Sequence, residues 1–258
     1  IGTYSHFASD TVFPKKTYKK IPCETVYIVF KKVLDNDSDF GVVPAENSIE
    51  GTVKGTLDYL VDFSLTVIGS FDFPIHHQLA TLEKSLKDIT YVVSHPQAFA
   101  QCERWIRKNL PQAKLIPSAS TTASMDERKK GHAYICSELA ASVYKMGIVA
   151  KNIEDNPRNS TRFYIISKKQ MQVKGLSNQK TLIFLTIYNR VGILRDILNV
   201  FANNEINLTK LESRPSMEKI WDYHFFVEVE GNPENPSLKK ALQELEVYCP
   251  IIRVLGQT

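Results

Sequence analysis

The chain is poor in most of the features that specialised chemistry calls for. It has 4 cysteines in 258 residues. Cys23, Cys102, Cys136 and Cys249 stand far apart, with neither Cys-x-x-Cys spacing nor a dense framework. Neither a zinc site nor a disulfide scaffold is indicated, and reduced, mostly buried thiols are expected. No apolar run approaches the ~20 residues that cross a bilayer. No basic-then-apolar leader opens the numbered sequence, so a cytosolic protein without a membrane partner is expected. The net charge is only +4, too small to imply nucleic acid. The cluster Lys15, Lys16, Lys19, Lys20 reads as a solvated face. A small acidic metabolite would suit such a balance.

What is present is the composition of a folded globular chain. Hydrophobic residues make up 43% and charged residues 23%, which argues against disorder. At this length single cores begin to split, so two or three compact units are expected. Val26, Val29, Phe30 and Val33 fall at i, i+3, i+4 and i+7, the spacing of an amphipathic helix, and 40–43 reads as a short buried strand stopped by Pro44. Phe99, Cys102, Ile106 and Leu110 continue one helical stripe after a strand at 91–93, with Pro96 at the helix start. Strand 134–136, helix 137–146 and strand 148–150 extend the alternation, which implies mostly parallel sheets with covered faces.

Residues 168–180 break this pattern, being rich in Lys, Gln, Asn and Ser, and read as a linker. Beyond them come strand 181–188, helix 193–203, strands 206–214 and 222–230, helix 236–245 and strand 251–255. That βαββαβ order is the ferredoxin-like unit. The two patterns look self-contained, so a chain ending near Gln170 is expected to keep measurable activity, provided the missing module is not needed for solubility.

The chemistry concentrates in a few segments. Asn156-Pro157-Arg158-Asn159-Ser160-Thr161-Arg162-Phe163 sets hydroxyl, amide and guanidinium groups against a strand-like run at 163–166, the equipment for gripping a small anion. Alone, Thr161 is more readily a β-branched strand opener and Arg162 a surface charge. Glu46-Asn47-Ser48 follows strand 40–43, where the carboxyl ends of parallel strands present ligand-binding loops; helix capping explains Asn47 or Ser48 equally well. His95-Pro96-Gln97 falls at a strand-to-helix turn. Ser120-Thr121-Thr122-Ala123 is rich in cap residues, and the helix N-terminus it implies would favour an anion.

Taken in order, Gly2-Thr3-Tyr4-Ser5, Val43-Pro44-Ala45-Glu46-Asn47-Ser48-Ile49-Glu50-Gly51, Ser94-His95-Pro96-Gln97-Ala98-Phe99, Thr161-Arg162-Phe163 and Glu212-Ser213-Arg214-Pro215 resemble the signatures of prephenate dehydratases. The resemblance spans nearly the whole chain. It implies an α/β fold: a two-lobed catalytic domain of periplasmic-binding-protein type II architecture at 1–167, a linker at 168–179 and an ACT regulatory domain at 180–258. One lobe would combine about 1–75 with 155–167, the other 76–154, with substrate between them. A strand implied before Gly2 is not in the numbered sequence, and Val191 stands where the family commonly has proline.

The implied reaction removes water and carbon dioxide from prephenate to give phenylpyruvate for phenylalanine synthesis. Aromatisation drives it, so no cofactor, metal or covalent nucleophile is expected; anchors for the anions and a donor at the departing hydroxyl are. A cation on the ring carboxylate would stabilise the ground state and oppose decarboxylation, so neutral donors should face that group and the cationic anchor belongs at the pyruvyl end. By resemblance, Thr161 orients or donates to the leaving hydroxyl, Arg162 clamps a carboxylate, and Asn47 and Ser48 complete the catalytic set. Thr3, Glu46, Gln97, Ser120, Thr121 and Phe163 would bind substrate. His77 matches a family histidine, although 74–79 reads chiefly as a strand crossing between lobes, with 153–163 as the return.

In the last part, Asn189-Arg190-Val191-Gly192-Ile193-Leu194 and Asn207-Leu208-Thr209 resemble ACT segments. The implied effector is L-phenylalanine, held by Gly192, Ile193, Leu194, Asn207, Leu208, Glu212, Ser213, Arg214 and Pro215 at a subunit interface of a homodimer or homotetramer. No chorismate-mutase segment precedes the motifs, so a stand-alone enzyme is expected. A non-catalytic binding module, an arogenate dehydratase and an ACT unit that only dimerises stay open as alternatives.

Overall fold

The computed structural model describes residues 2–258 apart from Lys15, Thr121, Ala123, Ser124, Gln172, Lys174, Gly175 and 217–222. Expectations placed on Lys15, Thr121 and residue 222 therefore lie outside the described residues. In chain order the elements are α1 (Tyr4–Val12), α2 (Val26–Leu34), β1 (Gly41–Asn47), β2 (Gly51–Thr52), α3 (Thr56–Asp62), β3 (Thr66–Pro74) and β4 (Gln78–Thr81). There follow β5 (Tyr91–Ser94), α4 (Pro96–Gln101), α5 (Glu103–Asn109), β6 (Lys114–Pro117), β7 (His132–Cys136), α6 (Glu138–Val143), β8 (Gly147–Ala150) and β9 (Ser160–Ser167). The last are β10 (Lys180–Thr186), α7 (Ile193–Asn203), β11 (Leu208–Pro215), β12 (Tyr223–Glu230), α8 (Pro236–Leu245) and β13 (Ile251–Gln257).

Packing divides the chain into two units. The first comprises Ile1–Pro22, Glu46–Gly51 and Asp72–Thr161; the second Cys23–Ala45, Thr52–Phe71 and Arg162–Thr258.

The first unit is built on a five-stranded sheet in the order β6-β5-β7-β4-β8. Strand β5 is parallel to β6 and β7, whereas β4 runs against both its neighbours. The sheet is thus mixed rather than mostly parallel. Parallel neighbours need a crossover, which α4 and α5 supply between β5 and β6, but β4 enters from the extended segment at 75–77. Successive strand residues go to opposite faces: Leu79, Val92 and Ala133 pack with Ala98, Cys102 and Ile106, while Ala80, Val93 and Tyr134 pack with Met125 and Ala140. The single helix predicted by the Phe99-to-Leu110 stripe is broken at Cys102 (φ −120°, ψ 14°). The cause is Asp155, whose N–H takes the Gln101 carbonyl at 2.7 Å while its carboxylate accepts from the Arg104 and Trp105 N–H groups at 2.9 and 3.2 Å.

The second unit carries an eight-stranded sheet in the order β11-β12-β10-β13-β3-β9-β1-β2. Its first four strands with α7 and α8 form the expected ferredoxin-like unit, with β10 antiparallel to both β12 and β13. The helices bury Ile193, Ile197, Phe201, Leu238, Ala241 and Leu245 against Ile183, Leu185, Val227 and Val229 on one face. The other face does not end the domain. Leu182, Phe184, Phe226 and Leu255 share one core with Phe30, Leu57, Leu60, Val67, Tyr164 and Ile166.

A chain cut at Gln170 would uncover Leu57, Leu60 and Tyr164 where they share this core. Near the end of the segment read as a linker, Leu176 and Ser177 are held down. Ser70 and Ser177 exchange two backbone hydrogen bonds of 2.8 Å, and Leu176 packs where Gly69 has no side chain. Strand β13 meets β3 at Gly256 and Val67. Gly256 has φ +130°, and a Cβ there would lie 2.0 Å from the Val67 carbonyl oxygen, so only glycine permits this contact. Pro44 does not stop β1 either: the strand runs on to Asn47. With only the two-residue β2 beyond it, β1 is nearly an edge strand, where proline is tolerated.

Glu228 on β12 is the buried charge of this unit, its side chain 2% exposed. Thr209 and Thr258 donate to it at 2.6 and 2.7 Å, Lys180 lies at 3.1 Å and Arg162 at 3.8 Å. Burial alone would raise its pKa, but the hydrogen bonds from Thr209, Thr258 and Lys180, with the Lys180 charge, hold it below the ordinary carboxylate value. A carboxylate so depressed contributes stability above the unfolded pKa of about 4.3, and that contribution is lost as pH falls through the lower folded value. Glu228→Gln should cost about 1–3 kcal/mol at neutral pH and flatten the acid limb of stability. Urea titrations at a series of pH values check this; curves for the two proteins that stay parallel below pH ~4.3 would refute it.

Candidate active site

The end of β1 and the start of β9 bring three neutral polar side chains together in the first unit. Asn47, 7% exposed, donates through Nδ2 to Asn159 Oδ1 at 2.8 Å, to the Ser160 carbonyl at 3.2 Å and to Thr161 Oγ1 at 3.0 Å. Its Oδ1 accepts from the Ile49 and Glu50 N–H groups at 3.0 and 3.2 Å, fixing the turn after β1. Asn159 and Thr161 stand two residues apart, on one side of an extended chain. Thr161 accepts from Asn47, which leaves its own hydroxyl hydrogen available to another acceptor.

The cluster continues inward. Asn159 Nδ2 donates to Gln101 Oε1 at 2.9 Å, and Gln101 Nε2 donates to Glu50 Oε1 at 2.7 Å. Gln97, one turn earlier on α4, donates to the other oxygen of the same carboxylate. A carboxylate only accepts, so Glu50 dictates which way Gln101 faces, Gln101 dictates Asn159, and Asn159 dictates Asn47. His77 Nε2 lies 2.7 Å from Gln101 Oε1, and its Nδ1 lies 2.7 Å from the Tyr4 hydroxyl. Since Gln101 Oε1 is an acceptor, Nε2 carries the hydrogen. Burial pushes the His77 pKa below its ordinary value against the opposing effects of Gln101 and Glu154, so the neutral ring accepts the Tyr4 hydroxyl at Nδ1. Burial likewise drives the Tyr4 pKa well above 10, keeping that hydroxyl protonated.

A cavity of about 510 Å³ opens beside these residues, lined by Glu50, Gln97, Gln101, Glu154, Asp155 and Asn159 among others. Its three carboxylates suit a dianion poorly, and Thr161 is not in its wall. The neutral face of Asn47 and Thr161 suits a carboxylate better. Among the described residues no group of three or more His, Cys, Asp or Glu side chains is arranged to hold a metal ion.

The other residues expected at the site are distributed as follows. Ser48 Oγ accepts from Ser160 N at 3.0 Å and reaches the Arg158 carbonyl at 3.4 Å, beside the cluster. Gln97 joins it through Glu50. Glu46 is half-buried on the face of β1 opposite Asn47. Thr3 caps α1, accepting from His6 N at 3.4 Å. Ser120 closes a turn, accepting from Thr122 N at 3.3 Å; only a three-residue turn of helix, Met125–Glu127, follows. Arg162 is assigned to the second unit, where it lies 3.8 Å from Glu228. Phe163 is buried there, stacked on Phe71. Tyr4, Glu50, Gln101 and Asn159 were not singled out from the sequence, although the i, i+4 spacing of Gln97 and Gln101 places both on one helix face.

In the ferredoxin-like part, Gly192 holds φ +80° ahead of α7, with Ile193 buried in the core and Leu194 half-buried. Asn207 and Leu208 lie past the other end of that helix, about 16 Å away by its rise, so one chain does not bring them to Gly192. Glu212, Ser213, Arg214 and Pro215 end the outermost strand, β11. Glu212 bonds Arg214 at 2.7 Å and Thr52, with Lys210 at 3.5 Å. Burial raises its pKa, but the Thr52 hydrogen bond and the Lys210 and Arg214 charges bring it below the usual range.

Asn47→Ala would strip donors from Asn159 and Thr161 and the acceptor from Ile49 and Glu50. We expect a loss of at least ~1–3 kcal/mol in stability, read as a lower Tm and a higher proportion unfolded in urea. An unchanged Tm would show that the cluster does not hold β1 and β9 together.

Residues 1–171 match the family described as Prephenate dehydratase, and residues 181–247 match the ACT domain. A bifunctional chorismate mutase/prephenate dehydratase of Aquifex aeolicus is 38% identical over 259 residues, covering 99% of this chain and 70% of that protein. A prephenate dehydratase of Methanocaldococcus jannaschii is 37% identical over 262 residues, covering 99% of this chain and 94% of its own. Among solved structures, a prephenate dehydratase from Arthrobacter aurescens in complex with L-Phe superposes with a TM-score of 0.88 at 31% identity, covering 99% of this chain and 86% of that one. A protein described as a quorum quenching acylase, GqqA, gives 0.87 at 27% identity, covering 99% and 93%. With a matched catalytic domain over most of its length and an ACT domain after it, the chain belongs to the prephenate dehydratase family of carbon–oxygen lyases of aromatic amino-acid biosynthesis.

Proposed function

We propose that Thr161 is the group that acts on the departing hydroxyl of prephenate, held for that task by Asn47. The single observation that carries this is the Asn47 hydrogen bond to Thr161 Oγ1, which uses the oxygen as acceptor and leaves the O–H to donate. Asn47, Asn159 and Thr161 are all neutral, as the release of carbon dioxide requires of groups facing the ring carboxylate. Ser48 and Gln97 assist, Ser48 by tying the turn after β1 to β9 and Gln97 through Glu50. Thr3, Glu46, Ser120 and Thr121 are proposed to bind the substrate. Arg162 is proposed to clamp a carboxylate of the substrate and Phe163 to bind it. The catalytic domain spans 1–167 and the ACT domain 180–258, in the cytosol.

Thr161→Ala should lower kcat on prephenate by at least ~100-fold, the scale of losing one positioned donor, with little change in Tm. Turnover of prephenate and of arogenate by the same preparation decides the substrate, and prephenate is expected to be the faster. A folded Thr161→Ala protein with near-normal kcat would remove Thr161 from the mechanism.

L-Phenylalanine is proposed as the effector, bound between the Gly192 turn of one subunit and Asn207, Leu208 and the end of β11 of another in a homodimer or homotetramer. The separation of Gly192 from Asn207 within one chain favours a site shared by two. An effector shifts an equilibrium only if it binds the less active state more tightly, and a coupling of ~1–3 kcal/mol is typical. Gly192→Val would crowd the backbone approach at a left-handed position. Phenylalanine should then inhibit the parent enzyme without competing with prephenate, and calorimetry should show its binding lost in the variant. Equal phenylalanine binding to both proteins would exclude this site.

A further inference from the structure

His77 lies outside the cluster that would touch substrate, yet both its ring nitrogens are committed. The ring is 3% exposed. Its backbone is pinned too: the N–H donates to Glu154 Oε2 at 2.8 Å, and the carbonyl accepts from Ile153 N at 2.9 Å. The ring therefore cannot be displaced without moving the strand entry to β4. From that fixed point Nε2–H reaches Gln101 Oε1 at 2.7 Å, the same oxygen that takes the Asn159 amide.

The position of Gln101 follows from three restraints. Glu50 holds its nitrogen, and Asn159 and His77 hold its oxygen. Asn159 in turn presents Oδ1 to Asn47, and Asn47 sets Thr161. Glu50 is exposed and sits in a turn, so the rigid end of the chain is His77. The links between His77 and Thr161 are three carboxamides. Carboxamides do not release protons at ordinary pH, so this chain fixes orientation and does not carry a proton.

We propose that His77 is a positioning residue for the dehydration, acting through Nε2–H on Gln101 to hold Asn159, Asn47 and hence the Thr161 hydroxyl in line. This rests on the reading of Thr161 given above. Its role is separable from plain core filling because a glutamine side chain has the reach to place an Nε2–H near the imidazole Nε2, and an asparagine does not. The Tyr4 hydroxyl is provided for in either case, since it also lies 2.9 Å from the His76 carbonyl.

The test is a steady-state comparison of His77→Leu, His77→Gln and His77→Asn on prephenate, with Tm and the pH profile of kcat, and with Thr161→Ala assayed alongside. His77→Leu should lower kcat by about 10- to 100-fold, the scale of a misplaced reacting group, with KM little changed. His77→Gln should restore most of the lost kcat with the parental pH profile, and His77→Asn should not. Parental kcat in His77→Leu, or equal loss in His77→Gln and His77→Asn with both folded, overturns the inference. Restored kcat with an altered pH profile also overturns it, because the ring would then be exchanging protons. If His77→Leu fails to fold, the Gln and Asn pair decides the matter. A fully active Thr161→Ala would instead defeat the underlying reading of the site.

Discussion

The site depends on which way one buried amide faces. Asn47 has two N–H bonds and one carbonyl oxygen, and the fold uses all of them: the nitrogen between Asn159 and Thr161, the oxygen on the amides of Ile49 and Glu50. Turning that amide over would set donor against donor at the turn and acceptor against acceptor at β9, a change of several unmet hydrogen bonds at ~1–3 kcal/mol each. The sense is imposed from outside, because Glu50 can only accept. The same residue that closes the turn after β1 thus determines, through Gln101 and Asn159, that Thr161 receives a hydrogen bond and has one left to give.

The second constraint is that the ACT sheet and the strands β1, β3 and β9 share one core. Leu182 and Phe184 of β10 belong to the same apolar cluster as Tyr164 and Ile166 of β9, and the two parts of the sheet meet where Gly256 admits the Val67 backbone. Each buried aliphatic or aromatic side chain contributes about 1.5–3 kcal/mol, so the ACT half is not an appendage that can be removed without cost.

Much of this was legible in the sequence, and the failures have definite causes. Helices α7 and α8 were placed to the residue because each carries a full apolar stripe and is bounded by Gly192 or Asn235 with Pro236. The helix break at Cys102 was not, because Asp155, which causes it, lies some fifty residues away. Pro44 misled because proline ends central strands but not nearly unpaired ones. The shared core was hidden by a polar segment whose Leu176 and Ser177 happen to be the residues that dock. At the site, Asn47 and Thr161 were readable from short motifs and His77 from a family match, whereas Gln101 and the pairing of His77 with Gln101 and Tyr4 were not, since these contacts span 24 to 73 residues.

Strand alternation also separates the side chains of Thr161 and Arg162, which follow one another in β9. On the proposed chemistry, a guanidinium ~7 Å from the departing carboxylate would hold back its release by about 2 kcal/mol at an effective dielectric of ~20, more than a tenfold loss in rate. Adjacent residues of a strand point to opposite faces, and Arg162 faces Glu228, whose carboxylate is kept charged by Thr209, Thr258 and Lys180. Within the second unit the arginine charge thereby has a counter-charge that the hydrogen bonds to Glu228 keep ionised, its pKa held below the ordinary carboxylate value.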